Sequence, residues 1–495
     1  MTIKSFYIKT FGCQMNYADS EKINMILLSA GMKKVIDPVK ADLVILNTCS
    51  VRQKGEDRVF GFMHEVTRYH KKNPSSIRPM FGITGCMVRK TGMAKRHLNL
   101  DTVEAADPEK TTSYKRVQAD AITLLDASDT LENYDDALFL RSPLIDFTFR
   151  IEEVSLLTKI LSLITGEDIG NDTKFNEYLA VKQLQENPAS ANVIIQTGCD
   201  NFCTFCIVPH TRGREISRQQ DDIIAEIREV VQHGTKEVTL LGQNVNSYGK
   251  ETRAKLWDPD ALTWNSHDVK TPFRELLDEI STIAGLDRIR FTSSNPHDMT
   301  RDILDAHFDL PHMCNYLHFA LQSGSDAMLK RMNRKHTYAD FKTQVEYLRA
   351  RDPLFSISTD IIVGFPGETE DEFHSTVEAM RECEFDFAYI ARYSPRSGTL
   401  ATMRYEDDIA PAEKARRWNI LNTLLGELVQ KRAELMIGRE EEILISGRGR
   451  TEEWVGRTRN FKEVYIPSTP HVQIGDIVPV KITELDGWVL RARVL

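Results

Sequence analysis

Eight cysteines in 495 residues are far too few for a disulfide framework. That scarcity points to a reducing compartment, the cytoplasm, where grouped cysteines signal metal or redox chemistry. No apolar run is long enough to span a bilayer: the most apolar stretch, 155–165, is short and broken by Lys159. The opening MTIKSFYIKTFGCQ lacks the apolar core of a secretory signal, so a soluble, non-exported protein is expected. With 26 Gly and 18 Pro there is no collagen-like or disordered bias, and no tandem repeat or low-complexity tract is present. What remains is ordinary globular material, 41% hydrophobic and 27% charged, enough for two to four domains.

Taken as a total, the net charge of −9 argues against a nucleic-acid partner. Its distribution removes that objection. Residues 109–190 hold 15 acidic and 8 basic side chains, a balance of −7, which leaves −2 for the rest. An RNA-binding face elsewhere is therefore compatible with the composition.

Short apolar runs at 5–8, 43–46 and 80–83, each followed by a turn and a helical pattern, predict a small parallel sheet over 1–108. The first helix is expected to run from Asp19, as N-cap, to Ala30, with Gly31 as its stop. Segment 109–190 reads as an acidic insertion or linker peripheral to catalysis, with one amphipathic helix through Val154, Leu157, Leu161 and Ile164. Over 191–432, six strand-helix units fit an incomplete barrel better than an open sheet. Their strands are predicted at 193–196, 237–241, 288–292, 317–321, 356–363 and 386–391. A helical connector over 416–436 leads into 433–495, whose short alternating runs broken by Gly and Pro predict a small antiparallel barrel or sandwich. The fold class is thus α/β with a small all-β C-terminal domain.

Cys199, Cys203 and Cys206 form a C-x3-C-x2-C array. Three thiolates in one tight loop can take three corners of a cubane cluster, leaving one metal open to a small molecule. The alternative is a zinc site completed by His210. Cys13, Cys49 and Cys86 are far apart in sequence, yet each lies just past the end of a predicted strand. In a parallel sheet those ends share one edge, so the three thiols would converge there as a second open cluster site. The alternative is three unrelated core cysteines. Cys314 and Cys383 have no partner motif and are expected in the core.

The array, with Phe205 before its last cysteine and a strand before the loop, resembles the signature of radical S-adenosylmethionine (SAM) enzymes. The resemblance implies a [4Fe-4S] cluster whose unique iron binds the amino and carboxylate groups of SAM. It also implies reductive cleavage to a 5′-deoxyadenosyl radical that takes hydrogen from unactivated carbon. Taken with the second triad and the C-terminal β-domain, 1–108 and 190–495 resemble the radical methylthiotransferases. The matching stretches include TFGCQMNYADSE, LNTCSVRQKGEDRVF, TGCMVRK, GCDNFCTFCIVPHTRGREISR and DIIVGFPGETEDEF. Ser50, Arg52 and the run GQNVNSY at 242–248 resemble the MiaB-type branch, which acts on N(6)-isopentenyladenosine in tRNA. By resemblance the C-terminal domain is TRAM-like and binds RNA, and the cofactors are two [4Fe-4S] clusters and SAM.

Candidate cofactor contacts are Phe205, Gln243, Gln322, Gly364, Gly367 and Glu368. The Gly364–Glu368 turn ends a strand and suits close backbone approach, while Gln322 lines the active-site mouth by resemblance. Candidate phosphate contacts are Arg212 and Arg214, with Arg218 nearby, and the cluster Lys330, Arg331, Arg334 and Lys335. In the C-terminal domain Arg448, Arg450, Arg457, Arg459 and Lys462 stand near Trp454 and Phe461, mixing phosphate binders with stacking rings. Each basic run could equally be a solvated face. The expected activity is methylthiolation at carbon 2 of the modified adenosine beside the tRNA anticodon. The expected partners are the tRNA anticodon loop, an electron donor and a sulfur source, with no membrane and a monomeric chain. Rival readings are the same chemistry on threonylcarbamoyladenosine or on a ribosomal-protein aspartate, and a catalytically silent iron–sulfur RNA-binding protein.

Overall fold

The computed structural model describes residues 3–49, 53–73, 75–88, 138, 141–170, 177–185, 187–250 and 270–495. Ser50, Arg52 and nearly all of the acidic stretch 109–140 lie outside these. The chain divides into two compact units: Met1–Leu184 with Ile207–Gly213, and Gln185–Cys206 with Arg214–Leu495.

The first unit is built on a parallel sheet of β1 (Ser5–Phe11), β2 (Lys33–Lys34), β3 (Leu43–Thr48), β4 (Met80–Gly85) and β5 (Phe147–Thr148), in the order β2-β1-β3-β4-β5. LVILNT and MFGITG are buried along their whole length, as central parallel strands covered on both faces must be. Two expectations need correction here. The first helix runs Gln14–Ser29, with Cys13 in extended geometry at its cap, so Asp19 lies inside it and is fully buried. An Asp before an apolar run imitates an N-cap, but this carboxylate serves buried partners instead. Part of the expected linker also belongs to this unit: it supplies β5, and Phe147, Phe149, Ile151, Val154, Leu157 and Leu161 are buried. The apolar stripe predicted through Val154–Ile164 is real, as a 3-10 turn Ile151–Leu156 running into the helix Leu157–Thr165.

The second unit begins with β6 (Ser190–Ile194), β7 (Gln196–Thr197), β8 (Ile216–Ser217), β9 (Glu237–Leu241), β10 (Arg288–Phe291), β11 (Tyr316–His318), β12 (Ser356–Val363) and β13 (Phe387–Arg392). Parallel pairing gives β6-β9-β10 and β11-β12-β13, and the bridges Ile289–Met313 and Ser294–Phe319 join the two halves. The result is the six-stranded open barrel expected, its apolar interior shared with the flanking helices. The helix Pro411–Glu434 then leads to a closed barrel of β14 (Glu440–Arg448), β15 (Trp454–Arg457), β16 (Glu463–Ile466), β17 (Ile477–Asp486) and β18 (Val489–Val494).

The small barrel is docked on the large one by buried arginines. From β10, Arg288 donates to the carbonyls of Arg457 and Glu442, and Arg290 donates to those of Arg459 and Thr458 and pairs with Glu237. In return Arg459 donates to Pro311 and Met313 carbonyls, Phe461 stacks on Tyr316 with centroids 4.4 Å apart, and Lys462 reaches Asp386 at 2.6 Å. Burial would raise the Asp386 carboxyl, but Lys462 and Arg432 hold it below the usual carboxylate range.

Candidate functional site

In the first unit the sheet itself places the cysteines. The parallel ladder continues one residue past the strands: Cys49 N–H donates to the Phe11 carbonyl at 2.7 Å, and Cys86 N–H to the Thr48 carbonyl at 2.8 Å. Cys13 caps the helix that follows β1, and its N–H donates to Asn16 Oδ1 at 3.3 Å. Asn16 in turn donates to Asn47 Oδ1 and the Thr48 carbonyl, and Asn47 donates back to the Asn16 carbonyl at 2.7 Å. These two buried amides lock the helix start against the end of β3. Gly85 completes the arrangement: its φ is +88°, and a Cβ there would stand 2.3 Å from the Thr48 carbonyl oxygen.

The three thiols brought to this edge interact with one another. Cys86 hydrogen-bonds Cys49, and Cys13 feels its charge. The bond from Cys49, together with the Arg212 guanidinium, lowers the Cys86 thiol to about 6 against the penalty of burial. Arg212, a candidate phosphate contact, is therefore reassigned. It is 3% exposed and makes an ion pair with the buried Asp19. Tyr178 donates to the other Asp19 oxygen at 2.5 Å, and its hydroxyl lies 3.5 Å from Arg212. Burial and the Asp19 charge push the Tyr178 hydroxyl well above its ordinary value, so it stays a donor. Sequence reading missed both residues: Asp19 looked like a cap, and Tyr178 lies in the segment expected to be peripheral.

In the second unit, Cys199, Cys203 and Cys206 sit on the loop after β7, all partly accessible. Gln243, past the end of β9, accepts from the Gly198 N–H at 2.6 Å and so fixes the loop entrance. Phe205 packs against Met328, Met332, Phe365 and Tyr393. Segment 331–334 braces the loop: Thr204 N–H donates to the Met332 carbonyl, Asn333 donates to the carbonyls of Asn201 and Phe202, and Arg334 reaches Cys203 Sγ at 3.5 Å. Burial pushes the Cys199 thiol up to about 12. Arg331 and Arg334 are spoken for by Pro366 and Ala320 carbonyls, which accounts for them without a phosphate.

Other candidates fall around this loop. Gln322, on the segment that follows β11, has φ +74° and is bridged to Ile361. Gly364 has φ +69°, and a Cβ there would meet Lys414 Cγ at 2.4 Å. Gly367 donates to Asp408 at 2.7 Å. Glu368 is turned inward, accepting from Gly364 N–H at 2.6 Å and pairing with Arg417 at 2.7 Å, so it shapes the turn. Asp298, which sequence reading did not single out, gathers Asn201, Asn244 and Lys250 beside the loop. Among the described residues no group of three or more His, Cys, Asp or Glu side chains is set around a single metal ion.

The basic residues separate into two groups. Arg459 and Lys462 are spent on docking, as described, and Arg218 pairs with Glu226 at 2.7 Å. Arg448 and Arg450 are exposed, and Arg448 lies 3.4 Å over the Trp454 ring. Arg457 is exposed over Phe461, and Arg214 is exposed beside Phe202 and Asp200.

Comparison with known proteins fits this anatomy. Family models match as the radical SAM superfamily over 193–380, the uncharacterized protein family UPF0004 over 5–103, and the TRAM domain over 434–495. The tRNA-2-methylthio-N(6)-dimethylallyladenosine synthase of Carboxydothermus hydrogenoformans is 36% identical, over 98% of this chain and 98% of its own. The chain belongs to that synthase family. The relative of the same description from Yersinia enterocolitica is 35% identical over 99% of this chain and 92% of its own, and that from Clostridium novyi 35% over 99% and 97%. As a radical SAM enzyme, this synthase-family member takes a [4Fe-4S] cluster and SAM. Among the described residues no helix is long and apolar enough to cross a membrane.

Proposed function

We propose that the enzyme attaches a methylthio group to carbon 2 of N(6)-isopentenyladenosine at position 37 of tRNA, in the cytoplasm, with two [4Fe-4S] clusters. Cys199, Cys203 and Cys206 hold the radical SAM cluster; Cys13, Cys49 and Cys86 hold the auxiliary one. The observation that supports this reading is the backbone ladder of the first sheet, which runs one residue past neighbouring parallel strands to Cys49 and Cys86.

When bound, the clusters and SAM supply the hydrogen abstraction, the sulfur and the methyl group. An aromatic carbon–hydrogen bond offers no acidic proton, so the chain's own acids and bases do not open it. Its residues position instead. Gln243 and 331–334 fix the radical loop, the Gly364 and Gly367 turns allow close backbone approach, and Phe205 helps exclude water. Arg214, Arg448, Arg450 and Arg457 offer exposed charge and stacking for the anticodon arm. An electron donor and a sulfur source complete the reaction, and the chain acts as a monomer.

Single Cys→Ala variants test this division of labour after anaerobic reconstitution. Loss of Cys199, Cys203 or Cys206 should abolish 5′-deoxyadenosine formation. Loss of Cys13, Cys49 or Cys86 should end product formation while sparing some SAM cleavage. Identical behaviour of both sets in folded protein contradicts the assignment.

A further inference from the structure

We propose that Asp360, Phe387 and Tyr389, on the inner face of the open barrel, read the N(6) substituent of the target adenosine and select an uncharged, apolar group over an anionic one. The inference rests on the proposed tRNA substrate and names the residues that would set it. Side chains alternate along barrel strands. Leu317, Phe319, Ile357, Ile361, Ala388 and Ile390 join the core shared with the flanking helices. Tyr316, His318, Ser358, Asp360, Phe387 and Tyr389 therefore share the opposite, inner face. Part of that face is closed: Tyr316 stacks on Phe461, its hydroxyl lies 2.7 Å from Ser358 Oγ, and both residues are buried. Towards β13, the last strand of its sheet, the face opens. Phe387 is 41% exposed and Tyr389 46%, although Ala388 and Ile390 beside them are buried.

The two rings meet edge to face with centroids 4.8 Å apart, and Tyr389 lies 6.0 Å from the His318 ring. His318 Nε2 stands 3.5 Å from Asp360 Oδ2 and steers the carboxylate, which neighbours Tyr389 in the strand register. This place adjoins the chemistry. The Asp360 carbonyl accepts from Gln322 N–H at 2.8 Å, and Arg334 ties the Ala320 carbonyl to Cys203 Sγ. Ile362, the next inner-face residue after Asp360, packs against the same apolar cluster as Phe205 of the radical loop. An adenine held at that loop has this face on which to lay its substituent. The isopentenyl group offers only carbon and no charge, and two adjoining rings can bury it. A threonylcarbamoyl group brings a carboxylate beside the like charge of Asp360, in a setting partly shut off from water.

The test uses full-length, anaerobically reconstituted protein and synthetic anticodon stem-loops that differ only at the target adenosine, which carries the isopentenyl, the threonylcarbamoyl or no substituent. Dissociation constants are read by fluorescence anisotropy, and methylthio product by mass spectrometry. The parent should bind the isopentenyl stem-loop roughly tenfold more tightly than the unsubstituted one. Phe387→Ala with Tyr389→Ala should bring that ratio close to unity, while Tyr389→Phe, which keeps the ring, retains it. Asp360→Asn should narrow the preference for isopentenyl over threonylcarbamoyl several-fold. A merely structural defect weakens all three stem-loops alike, so the ratios isolate recognition. A ratio that stays at its parental value in the double-Ala or the Asp360→Asn protein overturns the proposal, and the function stands if the parent still makes methylthio product. A parent that makes none from the isopentenyl stem-loop overturns the proposed function and this inference with it.

Discussion

Arginine serves two opposite purposes in this chain, and sequence alone does not separate them. RTRNFK at 457–462 looks like one basic patch, yet Arg457 is exposed over Phe461 while Arg459 is bound to backbone carbonyls of the large barrel. Arg288 and Arg290 show the converse. Inside a predicted strand they carried no functional signal, but they are buried fasteners between barrels. The difference is made by a partner more than 140 residues away, which no local pattern reports. It has a measurable consequence. Arg459→Ala should weaken the docking by about 1–3 kcal/mol, the worth of charge-assisted bonds left unmade, read as earlier thermal unfolding and faster proteolysis between the barrels. Arg450→Ala should leave unfolding unchanged, weaken tRNA binding, and reduce the salt dependence by about one counterion. Reversed results for the two variants would contradict this sorting.

At the scale of elements, legibility followed burial. Buried parallel strands rich in β-branched residues are read from their pattern, and 237–241 and 356–363 match their observed bounds. The first N-terminal strand runs three residues further than its apolar core and the other two run two further, through polar positions such as Asn47, Thr48 and Thr84 that are themselves buried. Those polar extensions carry the ladder to Cys49 and Cys86, so the polar residues at the strand ends belong to the site. The position of Cys49 and Cys86 just past neighbouring strands was legible because strand ends of a parallel sheet share an edge. Asp19, Tyr178, Asn16 and Asn47 were not, because their partners come from other elements. Gly85→Ala should therefore act beyond its size. Its left-handed backbone and the 2.3 Å approach to the Thr48 carbonyl force β3 and β4 apart. The variant should lose about 1–3 kcal/mol of local stability and hold roughly half the iron of the parent, with 5′-deoxyadenosine formation retained. Full iron content in Gly85→Ala would show that this register does not matter.

The whole molecule combines a sheet that gathers three thiols, an open barrel that carries three more on one loop, and a small barrel fixed to the large one by arginines. The three regions were readable from the sequence because the first two carry distinct cysteine patterns and the C-terminal one, which has no cysteine, carries short alternating apolar runs. The substrate side of the account depends on fewer residues, and the tRNA itself reports on it directly. Nucleosides from bulk tRNA of a deletion strain, with and without the restored gene, are separated and identified by mass spectrometry. The account predicts that N(6)-isopentenyladenosine accumulates without the gene and returns to its 2-methylthio form with it, while restoration by the Cys49→Ala variant fails. Loss of the methylthio form of threonylcarbamoyladenosine instead, with the isopentenyl derivative untouched, would contradict it.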